Sequence, residues 1–297
     1  MVYRIFPFQN HVNIKIKIAT LNCKNLSTTS DPEKFQWIIQ QIRDSDADII
    51  SLQEINKVEA LATIINGLGS NLYAECHHEL PLDNSRIHEY IGFIYKTNQI
   101  KSCGCVTFTQ EDKKKYIGSV NKLMIRSPVY AKFIIGCEIP IIILAYHCNQ
   151  KHPMYDCIQI KKNLMAIQYT NPFVKICFIL GDFNTHCEDL LSFRKLYKRG
   201  WKSIFTSKNI YTNTKNNTQY DHIWYDSKNT KLIEEPTVLR QPAVDAVAHS
   251  DHCLVAGIFQ INAAANVSSK PETQIVDPDM NTIINKKYKK RNIICGC

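Results

Sequence analysis

The longest apolar stretch in the chain, Ile139–Tyr146 (IPIIILAY), is eight residues long. A bilayer span needs about 20, whereas eight suit a buried strand. The core therefore has to be assembled from many short segments. Residues 14–21 (IKIKIATL) alternate on a period of two and predict the first strand. Further strands are predicted at 48–52, 89–96, 100–108, 130–137, 141–147, 175–181, 220–225, 231–235 and 253–261. Helices are fewer. Asp31-Pro32 predicts a helix start before EKFQWIIQQIRDS, where Phe35, Ile38, Ile39 and Ile42 form one stripe. A second helix is predicted over 57–68, stopped by Gly67 and Gly69, and a third over about 155–169.

With 44% apolar and 21% charged residues, a chain of 297 is not wholly disordered. The predicted elements fall between 14 and 261, which implies one large domain behind a short extension (1–13). Residues 262–297 turn polar and basic and predict a flexible tail holding +3 of the formal charge of +9. The first residues show no apolar core of 7–15 residues and no small-residue cleavage site, so no signal peptide is expected. An intracellular protein, cytoplasmic or nuclear, is implied. The 12 cysteines include no CxxC pair. Zinc-knuckle and thioredoxin-like readings fall away, and most cysteines are expected as thiols.

Acidic residues collect where strands end. Glu54 follows DIISLQ, Asp182 follows ICFILG, Asp221 opens a strand in QYDHIWY, and Asp251 precedes the strand at Cys253. In α/β folds that rim is where ligands bind. Each of these acids alone fits a turn or a helix cap. Together with Asn184 and Asn22 they offer the oxygen ligands that a hard cation such as Mg²⁺ takes. His147 and His252 also lie at or beside strand ends, where imidazole can carry protons near neutral pH. Glu89 and Asp221 are candidate carboxylates for fixing their tautomers.

These residues sit in a series of motifs that resembles the endonuclease/exonuclease/phosphatase superfamily, most of all its deoxyribonuclease I-like branch. ATLNCKNL carries Asn22, DIISLQEI carries Glu54, SRIHEYIGFIYK carries Arg86 and Glu89, and IRSPVYAKF carries Arg126. LAYHCNQKHP follows with His147, ILGDFNTHCED with Asp182 and Asn184, YDHIWY with Asp221, and HSDHCLVAGIF with Asp251 and His252. The resemblance implies an α/β (α+β) fold, a four-layered sandwich of two mixed β-sheets flanked by helices. It implies a Mg²⁺-dependent phosphodiester hydrolase, with Mn²⁺ or Ca²⁺ as substitutes or helpers and water attacking in line. Glu54 and Asp251 would hold the metal, while Asp182, Asn184 and Asn22 would position phosphate, water or a second ion. Arg86 and Arg126 would meet phosphate. His252, paired with Asp221, would be the general base, and His147, oriented by Glu89, would assist the leaving oxygen. The motifs leave the roles of the two rings interchangeable. The implied partner is nucleic acid, DNA above all, bound by a monomer.

The chain departs from that branch in places. Its secreted members close a disulfide from just after GDFN to just before the Tyr-Asp element. Cys187 holds the first place, but TNTKNNTQ ahead of Tyr220 has no cysteine. His222 stands where the branch has an arginine on the DNA backbone, and Lys57 is the nearest substitute for its minor-groove arginine. Sphingomyelinases and phosphoinositide phosphatases of the same superfamily are alternatives, and a catalytically idle nucleic-acid-binding module is the non-enzymatic one. The +6 of the body suits a polyanion, and Lys113–Lys115 read as a solvated loop or as phosphate contacts. The end, KKYKKRNIICGC, resembles the doubly prenylated tail of small membrane-traffic GTPases. Cys295 and Cys297 are therefore candidate lipidation sites, and membrane association through the tail is a second expectation.

Overall fold

The short apolar segments pair into two sheets. In the computed structural model, which describes residues 11–80, 88–107, 126–136, 138–205, 210–240 and 249–264, the strands follow in chain order. They are β1 (His11–Leu26), β2 (Ile49–Ile55), β3 (Tyr73–Leu80), β4 (Glu89–Lys96), β5 (Ile100–Thr107), β6 (Val129–Ile135) and β7 (Ile139–His147). After these come β8 (Ile176–Asp182), β9 (Trp201–Ser203), β10 (Asp221–Asp226), β11 (Thr230–Leu232), β12 (Thr237–Leu239) and β13 (Leu254–Ala264). One sheet runs β11-β13-β1-β2-β4-β3, with β12 also on β13, and the other β5-β6-β7-β8-β10-β9. The β1–β2 and β7–β8 pairs are parallel, while β4 joins β2 and β10 joins β8 antiparallel, so both sheets are mixed.

Helices close the outer faces. The first helix, α1 (Pro32–Ser45), starts where Asp31 accepts the Glu33 N–H and Pro32 fills the first turn. Its Phe35, Ile38 and Ile42 pack with Leu61 and Ile64 of α2 (Glu59–Leu68) against Leu21, Ile50 and Leu52. On the far side, α3 (Pro153–Thr170) lays Ile160 and Leu164 on the second sheet beside α4 (Leu190–Tyr197). Between the sheets Phe93 meets Phe133, and Phe178 meets Phe259 at 4.9 Å. The result is the expected four-layered sandwich.

The central parallel strands β7 and β8 are covered on both faces, so their sequences are continuous apolar runs, not alternations. At Gly181 they come close. A Cβ there would lie 2.0 Å from the Tyr146 carbonyl oxygen, and the backbone holds φ +125°. Only glycine fits such a position.

Four elements carry no sequence prediction: β3, α4, β9 and β12. Conversely, Arg86, Lys113–Lys115, Cys295 and Cys297 lie outside the described residues. No helix among the described residues is long and apolar enough to cross a membrane. No disulfide joins the described cysteines. The Cys187 thiol donates to the Gln219 side chain at 2.9 Å, so a hydrogen bond spans the place where the secreted branch has its bridge.

Candidate active site

Strand register assembles the site. Asp182 ends β8, lies level with His147 at the end of parallel β7, and pairs with Asp221 at the start of antiparallel β10. Three side chains thus stand in one row across three strands. The opposite sheet contributes Asn22 and Glu54. The β1–β2 and β2–β4 ladders both shift register there, and Glu54 adopts φ +56°, a rare conformation for a residue with a side chain. That local irregularity swings its carboxylate toward the second sheet. Asn184 likewise holds φ +49°, its N–H on Asp182 Oδ1 and its side-chain amide on the Cys148 carbonyl.

The two sheets meet at Asn22. Its buried Nδ2 donates to Glu54 Oε1 at 2.9 Å and to Asp182 Oδ2 at 3.0 Å, clamping the two carboxylates together. Both histidines face Asp182 Oδ2, and His147 faces Glu54 Oε1 as well. His147 Nε2 lies 3.5 Å from Glu54 Oε1 and 3.9 Å from Asp182 Oδ2, and His252 Nε2 lies 3.7 Å from Asp182 Oδ2. Each ring is held from behind by a carboxylate on its Nδ1: Glu89 for His147, and Asp221, at 2.8 Å, for His252. These are the pairings expected from the sequence, joining residues that lie far apart along the chain.

Electrostatics follow from burial and partners. Burial disfavours the charged Glu89, but the His147 ring and the Arg126 guanidinium outweigh it and hold the carboxyl below its usual range. Burial also works against a proton on His147, and Glu89 reverses it, raising the ring. For His252 burial is again opposed, by Asp221 and Asp182, and the ring is carried up to about 10. Asp182 is raised, first by burial and then by Asp221. Two negative charges beside one another in a dry site favour a proton or a cation between them.

Glu54, His147 and Asp182 bring one ligand atom each within 4.8 Å of one another, and so do Asp182, Asp221 and His252. Asp221 Oδ1 is buried without a hydrogen-bond partner among the described residues. Carboxylate oxygens in this density fit a hard divalent cation. Asp251 stands slightly apart. Its oxygens face Lys24 Nζ and Asn213 Nδ2, each at 3.4 Å. Burial opposes its charge, but the His252 ring and Lys24 prevail and keep the carboxyl below its usual range. Arg126 backs the Glu89–His147 pair, 3.6 Å from Glu89 Oε2, and also lines the cleft.

Several contributors escape sequence reasoning. Asn213 Nδ2 lies 3.1 Å from His252 Nε2, and the adjacent Thr212 hydroxyl accepts the N–H groups of Tyr220 and Asp221. Thr212 O and Thr214 N bond Cys253 N and Asp251 O, so one loop clamps both the Asp221 and the Asp251–His252 segments. Ser250 Oγ ties the latter to the Asn22 carbonyl. Polar loop residues have no periodicity to mark them, and only their contacts reveal the role. His222 is not at the site. It alternates to the opposite face from Asp221, is fully buried near Phe183, Phe193 and Phe205, and bonds the Thr185 carbonyl. It therefore cannot replace an arginine on a DNA backbone.

The rim encloses a cleft of about 510 Å³ whose lining includes Lys24, Lys215, Asn56, Asn149 and Tyr220. The model of the Endonuclease/Exonuclease/phosphatase family matches residues 19–257, and the chain belongs to that family. No curated protein sequence matches it. Solved structures share the fold. A Bacteroides vulgatus endonuclease/exonuclease/phosphatase is similar at 14% identity and TM-score 0.63, over 84% of this chain and 100% of that one. The human Nocturnin catalytic domain with bound sulfate anion gives 14% and 0.60 over 85% and 98%. D. rerio TDP2 complexed with single-strand DNA product gives 13% and 0.60 over 82% and 98%.

Proposed function

We propose that this phosphoesterase is a Mg²⁺-dependent phosphodiesterase of the deoxyribonuclease I-like kind, cleaving DNA as an endonuclease. The observation that carries the reading is the convergence of two carboxylate-backed histidines on Asp182, which Asn22 clamps to Glu54. Phosphodiester hydrolysis needs a group to take a proton from water, a group to give a proton to the leaving oxygen, and positive charge facing the phosphoryl oxygens. Glu54, Asp182 and Asp251 are the residues that would hold the cation, which supplies that charge when bound. Water forms the new bond to phosphorus, the ester P–O bond breaks, and the proton of water passes to His252 Nε2. Without a cation His252 keeps its own proton at neutral pH, and positive charge beside Asp182 would remove the carboxylate support that holds it there. His147 Nε2 faces the same carboxylates and returns a proton to the leaving oxygen. Arg126, Lys24 and Lys215 add charge along the cleft. Nocturnin's bound sulfate and the DNA product on the zebrafish protein support an anionic, nucleic-acid substrate.

The test is a panel of plasmid, duplex and single-stranded oligonucleotides, RNA, sphingomyelin and inositol phosphates, with Mg²⁺ and with chelator. Plasmid nicking that needs Mg²⁺ and disappears in Asp182→Asn and His252→Ala is expected. Turnover of lipid or inositol phosphate alone would overturn the substrate, and nicking by both variants would overturn the site. We further propose a monomer inside the cell, its tail anchored through lipid on Cys295 and Cys297. The native intact mass tests the anchor, and unmodified cysteines would remove it.

A further inference from the structure

We infer that the outer face of α3 and α4 is a docking surface for an anionic lipid membrane. The helix α3 is apolar on two sides. Its inner side, with Ile160, Leu164 and Ile167, is buried on the sheet. Its outer side presents Tyr155, Met165 and Tyr169 at helical spacing, and Phe173 is exposed in the turn just beyond the helix end. Phe173 is 84% exposed, Tyr169 73% and Met165 48%, and Leu191 on the first turn of α4 is 73% exposed. Large apolar side chains exposed along two adjacent helices, beyond scattered single residues, mark an interaction face.

Charge identifies the partner. Residues 157–202 carry eight Lys and Arg against three acids: Asp182, buried at the active site, and Glu188 and Asp189 in the loop before α4. On α4 the outward residues Arg194, Lys195 and Lys198 share a face with Leu191. On α3, Lys162 falls within the apolar line itself. Apolar tips set among Lys and Arg suit the boundary between headgroups and acyl chains of a membrane rich in anionic lipid. The basic tail and a second copy of the chain are repelled by the same charge. Nucleic acid in the cleft is also the poorer match. Both helices begin near the catalytic rim and run away from it, so Phe173 precedes the far end of β8, about 20 Å of strand from Asp182. Methionine and leucine tips offer a phosphodiester backbone nothing to bond.

The full chain is to be sedimented with phosphatidylcholine vesicles containing 30% phosphatidylserine and with phosphatidylcholine alone. Binding to the anionic vesicles, at least tenfold above the neutral ones, is expected. A Met165→Ser/Phe173→Ser variant should lose at least tenfold in partitioning, and so should Lys195→Glu/Lys198→Glu, with unchanged melting temperatures as the fold control. No binding by the native chain overturns the proposal. So does full binding by both variants, which would place the contact elsewhere, such as the basic tail. Loss of affinity for a 20-nucleotide DNA strand in these variants, without vesicle binding by the native chain, would make the face a nucleic-acid surface instead.

Discussion

Two side chains at the site act at one remove from the reacting atoms. Glu89 bonds His147 at its Nδ1, and Asp221 Oδ2 bonds His252 at its Nδ1, so each fixes which ring nitrogen faces the cleft. Glu89→Gln keeps the shape but no longer favours the charged ring. A fall in nicking rate of about 10- to 100-fold with unchanged stability is expected from a plasmid assay. His222 predicts a pH effect instead. Burial pushes its ring down to about 4, well under the unfolded value of about 6.5. Below pH 6.5 the unfolded chain binds a proton that the folded chain refuses, so stability falls as pH drops from 6.5 towards 4 and is flat above it. The loss is on the order of 3 kcal/mol at its limit. Urea unfolding at pH 7.5, 5.5 and 4.5 should show the native chain losing stability relative to His222→Phe as the pH drops. A constant gap would refute a neutral buried ring.

At the scale of elements, strands were readable where burial wrote itself into the sequence. The doubly covered β7 and β8 appear as unbroken apolar runs, and the acids that end β2 and β8 stand out against them. The missed β3 (YAECHHEL) is an edge strand, partly exposed along nearly its whole length, so neither alternation nor a run forms. The eight-residue α4 is too short for periodicity, and its start depends on the Asp189 cap. The site divides the same way. Residues on strand ends were found, whereas Asn213 and Thr212, in a polar loop, hold the site through contacts that exist only after folding. Gly181 tests the tight β7–β8 approach. Gly181→Ala would drive its methyl into the Tyr146 carbonyl, and a loss above about 3 kcal/mol, seen as a lower urea midpoint or insoluble protein, is expected.

At the scale of the whole molecule, the two sheets bring mutually repelling carboxylates to one rim. A cation bound there by the folded chain alone adds stability by mass action, about 2.7 kcal/mol at a hundred times its dissociation constant. Raising Mg²⁺ should therefore raise the melting temperature of the native chain and shift Asp182→Asn far less. Equal shifts would place the cation elsewhere.

The Asn22 clamp couples residues 160 positions apart, and Ser250 fastens to the Asn22 carbonyl across 228. No fragment short of residue 252 contains both imidazoles, and neither sheet alone contains both clamped carboxylates. The candidate site therefore exists only once residue 252 has been made and the two sheets have packed together. Its geometry belongs to the finished sandwich and to no smaller piece of it.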